Sequence, residues 1–172
     1  RRGEKDGEKH WEQDLHPENY DSGRKRMINK AVLSTGKDDW ETPPEFFDEL
    51  NNEFHFTIDP CANEKNHKCE RYYTVADNGL LQDWAGEVVF CNPPYSPKTK
   101  TNPGQGAWIK KCYEEAQKPN TTVVALIPAR TDTRAFHQYI YHKAKEIRFL
   151  KGRLKFVGAK STAPFPSMIV IF

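Results

Sequence analysis

The sequence predicts an α/β fold with a mostly parallel sheet, an antiparallel C-terminal edge and helices on both faces. Three observations support this class. Strand-like apolar runs alternate with helical periodicity between residue 40 and about residue 144. The run TTVVALIPA, residues 121–129, is apolar enough for a central buried strand. After residue 145 the strand-like segments follow one another without an intervening helix, which favours antiparallel pairing.

The first ordered element is predicted at residues 40–50, WETPPEFFDEL. Thr42 is placed to cap a helix, the two prolines suit its first turn, and Glu45 completes a capping box. A short strand is predicted next at residues 54–58, and it ends at Asp59. The residues before about position 37 show no clear period, so we expect a flexible or helical arm at 1–36 and one domain at 37–172.

The later elements follow the same alternation. We predict strands for YYTVAD and EVVFC, a helix over 107–118, the 121–129 strand, a helix over 134–144, and closing strands for EIRFLKG, RLKFVG and PSMIVIF. Ligands of open α/β sheets bind outside the carboxyl ends of strands. Four polar or turn-forming residues close predicted strands, and we expect them on one rim: Asp59, Asp77, Asn92 and Pro128.

Composition and charge narrow the function classes. The chain of 172 residues has no apolar run of membrane-spanning length and no signal-like N-terminus. Four cysteines without a CxxC pair favour a reduced, cytoplasmic setting. The net charge is only +2, but residues 130–160 hold nine Lys or Arg against two acids. Two differently charged solvated faces would explain this, and so would a basic surface for a polyanion.

The motif Asn92-Pro93-Pro94-Tyr95 follows an apolar run and carries the chemistry. The prolines fix two φ angles and remove two donors, which leaves backbone carbonyls with little freedom. The Asn92 side chain adds a carbonyl acceptor, so two fixed acceptors suit an NH₂ group. Tyr95 would stack on the ring that carries this amine. Preorganised oxygens would also stabilise the positive charge that develops as the amine attacks. A structural proline-rich turn is the plainer alternative.

This tetrapeptide resembles the signature of amino-methyltransferases that use S-adenosylmethionine (SAM). Together with WETPPEFFDEL, FTIDPCANEKNHKC, YYTVADNGLLQDW and WIKK, it resembles the phage-type DNA N6-adenine methyltransferase (Dam) family. The resemblance covers about residue 39 to the C-terminus. It implies a Rossmann-like fold, methyl transfer from SAM to adenine N6 in DNA by base flipping, and a phage or prophage protein acting in the bacterial cytoplasm.

The resemblance also implies site residues. Asn92, Pro93, Pro94 and Tyr95 would hold the target base, with Asn92 also beside the cofactor. Thr42 and Pro43 would line the methionine end of SAM, with Trp40 as a wall of the pocket. Asp59 would bond the ribose hydroxyls, and Asp77 would contact the adenine of the cofactor, with Asp83 as a competitor. The chain lacks an FxGxG or GxGxxG loop, and Asp59-Pro60-Cys61-Ala62 would carry part of its role.

The expected partner is DNA. We expect the protein to be a monomer that binds neither a membrane nor a metal. Cys61, His67 and Cys69 match no common zinc spacing. Candidate contacts to DNA are Ser96, Lys98, Lys100, Arg130, Arg134, Arg153 and Lys155. Specificity would come from the segments 96–106 and 151–166. Phe165 and Pro166 would either form a bulged entry to the last strand or border the base pocket. Two alternatives stay open: methylation of another amine, such as cytosine N4, an RNA adenine or a protein glutamine, and a nucleic-acid-binding module that has lost the cofactor.

Overall fold

A six-stranded mixed sheet organises the part of the chain that the computed structural model describes, residues 40–172. The strands are β1 (Ile58–Asp59), β2 (Arg71–Tyr72), β3 (Val88–Cys91), β4 (Thr122–Pro128), β5 (Glu146–Phe149) and β6 (Ser167–Ile171). Their order across the sheet is β2-β1-β3-β4-β6-β5. The first four strands are parallel, and β6 runs antiparallel to both β4 and β5. The predicted parallel sheet with an antiparallel C-terminal edge is confirmed.

Strands β3 and β4 form the centre of the sheet and set the position of the site. They pair in register from Val88 opposite Thr122 to Cys91 opposite Ala125. Parallel pairing brings the carboxyl ends of neighbouring strands to one edge of a sheet. Asp59 therefore closes β1 beside the end of β3, where Asn92 follows immediately. The common rim predicted for these two residues is confirmed.

Two cores flank the sheet, one on each face. Helix α1 (Pro44–Phe54) covers one face together with an aromatic cluster, and helix α2 (Gln105–Glu115) covers the other with a π-helical turn at Phe136–Ile140. Alternate residues of β4 enter the two cores, because successive strand side chains point to opposite faces. The predicted helices on both faces are confirmed, and none of the helices between residues 40 and 172 has the length and hydropathy of a membrane span.

The start of α1 corrects the prediction for Thr42. Pro43 occupies the N-cap position, and no side chain caps the helix. The Thr42 hydroxyl instead accepts a hydrogen bond from the Asn92 side chain at 2.9 Å. A contact 50 residues away in sequence therefore replaces the predicted capping box. The predicted helix over 134–144 is also shorter, since regular structure there is confined to about the π-helical turn.

Three strand predictions need correction. Phe54 belongs to α1, so the strand predicted over 54–58 shrinks to β1. The strand predicted to reach Asp77 ends at Tyr72, and turns follow it. The segment RLKFVG, residues 153–158, forms no strand. It lies against the segment before α1 instead, where the Val157 N–H donates to the Glu41 carbonyl at 2.9 Å. The predicted arm at 1–36 lies outside the described residues.

Candidate active site

A cleft opens at the carboxyl ends of β1 and β3, with a volume of about 460 Å³ including its mouth. Three pieces of chain form it: the segment before α1, the loop after β1 and the turn after β3. The lining residues are Trp40, Glu41, Thr42, Asp59, Cys61, Asn66, Lys68, Phe90, Asn92, Pro93 and Pro94.

Asn92 has its side-chain amide held on both sides. Its Nδ2 donates to the Trp40 carbonyl at 2.6 Å and to the Thr42 hydroxyl at 2.9 Å. Its Oδ1 accepts from the Tyr95 hydroxyl at 2.8 Å. The partner of Nδ2 at Trp40 is a carbonyl, which can only accept, so the amide cannot be flipped. Within residues 40–172, the Tyr95 hydroxyl is the only donor to Oδ1, and a carbonyl oxygen has two lone pairs, so one acceptor position is left for a ligand.

The two prolines after Asn92 continue the wall of the cleft. Pro93 and Pro94 both line it, as the motif predicts. Among residues 40–172, no donor bonds the Pro93 carbonyl. Because the proline rings restrict this backbone, the carbonyl is a second acceptor with little conformational freedom. Asn92 and Pro93 thus provide two neutral oxygens on adjacent residues.

Tyr95 lies behind this wall and does not line the cleft in this structure, so its stacking on the target base stays a prediction. Its residue is 6% exposed, and its ring packs against Trp40, Phe156 and Phe165 with centroids 6.4, 6.1 and 5.5 Å away. Its hydroxyl also reaches the Leu126 carbonyl at 3.2 Å. Burial raises the pKa of the phenol well above its usual value. In this structure, Tyr95 is a neutral donor that orients the Asn92 amide.

Asp59 is a carboxylate with few partners at the floor of the cleft. One oxygen accepts from the Cys61 N–H at 3.1 Å and the other from the Lys68 N–H at 3.2 Å. The residue is 4% exposed, and burial raises its pKa to about 6 in spite of these bonds. Pro60 is buried beside it, and its carbonyl lies so close to Gly79 that a Cβ there would come within 2.2 Å. The loop after β1 thus packs closely against Gly79, and Asp59 lines the cleft.

The Dam family of DNA N-6-adenine-methyltransferases matches residues 29–172. The chain belongs to this family. It is 31% identical over 154 residues to a DNA N-6-adenine-methyltransferase of Haemophilus phage HP1, an alignment that covers 85% of this chain and 84% of that protein. A DNA N-6-adenine-methyltransferase of Escherichia phage T1 is 30% identical over 102 residues, which cover 58% of this chain and 40% of that protein. The resemblance drawn from the motifs is confirmed.

Two carboxylates predicted near the cofactor lie away from the cleft of this Dam family member. Asp77 is exposed, and its carboxylate holds the Thr74 N–H and hydroxyl at 2.8 and 2.7 Å, which lowers its pKa. Its competitor Asp83 is exposed and pairs with Lys118 at 2.7 Å. Neither lines the cleft, and β2 ends at Tyr72, before it reaches Asp77. The predicted contact of Asp77 with the cofactor adenine stays a prediction.

Four lining residues were not found from the sequence: Glu41, Asn66, Lys68 and Phe90. Glu41 lies between Trp40 and Thr42, which the sequence predicts to line the cofactor pocket. Its position in the chain could therefore have indicated that it also lines the cleft. Lys68 has no such signal, because only the fold of the loop after β1 brings it to Asp59. Its ammonium pairs with the Glu41 carboxylate at 3.3 Å.

The basic residues predicted for DNA lie in the loop after the motif, in the segment after β4 and between β5 and β6. Lys98, Lys100, Arg134, Arg153 and Lys155 are exposed, and Arg130 is half-buried just after β4. Within residues 40–172 none of the six forms an ion pair. Ser96 is buried, and its hydroxyl has no partner there. The described residues also contain no cluster of three or more His, Cys, Asp or Glu side chains suited to a metal.

Proposed function

We propose that this Dam family protein transfers the methyl group of SAM to N6 of adenine in DNA, within the cleft between β1 and β3. The family and the two phage relatives support adenine N6 in DNA as the acceptor. The observation that carries the proposal is the fixed orientation of the Asn92 amide at the wall of the cleft, where Pro93 follows it in the chain. The binding modes of the base and of the cofactor belong to the same proposal.

The donor set of the cleft fits SAM. The ligand carries hydroxyls, a charged amino-acid end and an adenine ring. The cleft offers carboxylates at Asp59 and Glu41, an ammonium at Lys68 and an aromatic side chain at Phe90. When bound, SAM supplies an electrophilic methyl group on a sulfonium. The under-bonded Asp59 would accept hydrogen bonds from ligand hydroxyls, and Thr42, Pro43 and Cys61 would pack along the bound cofactor.

The two neutral oxygens would grip the amino group that is methylated. Adenine N6 is a weak nucleophile because its lone pair is delocalised into the ring. When Asn92 Oδ1 and the Pro93 carbonyl accept its two N–H groups, the lone pair localises on nitrogen. Positive charge then develops next to oxygens that are already oriented, so no reorganisation is needed during the reaction. No strong base is required, since the proton leaves after the methyl group has been transferred.

The target base must leave the helix to reach these oxygens. Flipping costs a few kcal/mol of unstacking and unpairing. Tyr95 is too buried to return this energy by stacking in the observed conformation. The exposed basic side chains, including Lys98, Lys100 and Arg153, would instead hold the flanking phosphates. Such contacts supply affinity without sequence preference.

The test is transfer of a labelled methyl group from SAM to DNA, RNA and protein, followed by mass spectrometry of the modified nucleosides. We expect N6-methyladenine in DNA. Labelled N4-methylcytosine, or transfer to RNA or protein alone, would establish the other amine substrates instead. Absence of both methyl transfer and calorimetric binding of SAM, with DNA still bound, would identify a non-catalytic binding module.

A further inference from the structure

We infer that Glu41 and Lys68 bind the amino-acid end of the methyl donor, with Glu41 on the α-ammonium and Lys68 on the α-carboxylate. The inference rests on the proposed function and assigns a subsite within the same cleft. The starting observation is an ion pair of 3.3 Å between two residues that both line the cleft. A bound zwitterion would present the opposite charge to each partner.

The charges of the pair are only partly used. The Lys68 side chain is 13% exposed, and that of Glu41 is 35% exposed. A lysine ammonium has three N–H donors. Among residues 40–172, the Glu41 carboxylate is its only hydrogen-bond partner. A largely buried ammonium with free donors at the wall of a cleft is suited to an anionic ligand group, and a carboxylate is such a group.

Both residues are attached to backbone that is already fixed. The Glu41 carbonyl accepts from the Val157 N–H at 2.9 Å, and both residues flanking Glu41 are hydrogen-bonded to Asn92. The Lys68 N–H donates to Asp59 at 3.2 Å. A ligand would therefore need to move only the two side-chain ends, which limits the ordering cost of binding.

The pair also lies next to the residues that hold the Asn92 amide. The sulfonium must lie beside Asn92 for the methyl group to reach a base held there. Two methylenes separate the sulfur from the carbon that carries the ammonium and carboxylate. Glu41 lies between Trp40 and Thr42, the two partners of the Asn92 amide, which places it beside the proposed site of methyl transfer. The sequence lacks the GxGxxG loop whose backbone would otherwise bind this end.

Comparing the affinities of two ligands tests this subsite independently of the rest of the cleft. S-adenosylhomocysteine carries the amino-acid end, whereas 5′-methylthioadenosine lacks it. For Lys68→Met and Glu41→Gln, we expect affinity for S-adenosylhomocysteine to fall about tenfold or more. Affinity for 5′-methylthioadenosine should stay within about twofold. Lys68→Arg should recover part of the loss, because it keeps the charge. Matched controls are Lys65→Met and Glu45→Gln, both exposed.

Calorimetry gives the affinities, and a thermal melt of each variant checks the fold. Equal losses for both ligands would overturn the inference, since the pair would then be a structural tether between the two segments. Unchanged affinities would overturn it as well. If the unmodified protein binds neither ligand, the proposed cofactor itself is wrong. If the unmodified protein and all variants bind both ligands equally, the cofactor proposal stands and only the subsite is wrong.

Discussion

Asp59 ends β1 and Asn92 follows the neighbouring β3 at the same rim, yet their side chains differ in charge and in hydrogen bonding. The Asn92 amide is neutral and bonded to three groups of the protein, which leave one acceptor position open. The Asp59 carboxylate is charged at neutral pH and nearly buried, and within residues 40–172 its hydrogen bonds come from two backbone N–H groups. The Asn92 amide is therefore oriented before a ligand binds. The Asp59 carboxylate can gain further hydrogen bonds when a ligand binds.

This difference corresponds to the two tasks of a transferase, which are stabilising the transition state and binding the cofactor. A group that acts in the transition state gains most when it needs no reorganisation, and this describes Asn92. A group that binds a ligand can be poorly solvated in the free protein and gain partners on binding. The raised pKa of Asp59, about 6, reflects that poor solvation. Substitutions can establish whether Asn92 governs rate and Asp59 governs affinity.

The largest expected effect is that of Asn92→Ala. The substitution removes the side-chain acceptor, and we expect single-turnover methylation of DNA to slow by about 10²–10³-fold or more. Affinity for SAM should change only a few-fold. The matched control is Asn52→Ala on the exposed side of α1, which should keep the wild-type rate. Weakened SAM binding together with a normal rate at saturating SAM would contradict the role given to Asn92.

Asp59 should make stability depend on pH. Its pKa rises from 3.8 to about 6 on folding because burial disfavours the charged form. The folded state thus holds this proton more tightly, so the contribution to stability is fully present below about pH 4 and is lost as pH rises through about 6. The loss is roughly 3 kcal/mol at most. Denaturant unfolding of wild type and Asp59→Asn at several pH values measures it. A constant difference between the two proteins would show that Asp59 titrates normally.

Tyr95→Phe tests whether the tyrosine orients or stacks. The variant keeps the ring and loses the hydroxyl that bonds Asn92. We expect the single-turnover rate to fall about fivefold, since a hydrogen bond contributes about 1 kcal/mol. Affinity for SAM should not change. Tyr141→Phe is the control, because Tyr141 is 50% exposed. A normal rate in Tyr95→Phe combined with weak DNA capture in Tyr95→Ala would support the stacking role.

The smallest effect is expected at the loop after the motif. Replacing both Lys98 and Lys100 with Ala should lower the slope of log affinity for DNA against log salt by about two. Binding of S-adenosylhomocysteine should be unaffected, because neither lysine lines the cleft. Lys110→Ala is the control, since Lys110 is exposed and already paired with Glu114. An unchanged salt slope would place the DNA elsewhere on the surface.

Much of the sheet and of the rim could be predicted because the signals are local. The apolar run before Asn92 predicts β3, and the residues that end β1 and β3 follow from the chain itself. The central strand predicted at residues 121–129 corresponds to β4, and six of the seven residues of β4 are buried. Such runs need little information from distant parts of the chain.

Features that depend on contacts between distant segments could not be predicted. Whether Tyr95 faces the cleft depends on Phe156 and Phe165, some 60 to 70 residues later, which cover its ring. The Thr42 hydroxyl has a local capping pattern but bonds Asn92. Lys68 reaches the cleft only because the loop after β1 folds back onto Asp59. Local periodicity carries no information about these pairings.

The most direct measurement places Asn92→Ala and Asp59→Asn side by side. For each variant, calorimetry gives the dissociation constant of S-adenosylhomocysteine, and a single turnover at saturating SAM gives the rate of N6-methyladenine formation in DNA. We predict a normal affinity and a lost rate for Asn92→Ala, and a weakened affinity with a largely retained rate for Asp59→Asn. The same pattern of loss in both variants, or the reverse assignment, would contradict the separation of roles between the two strand ends.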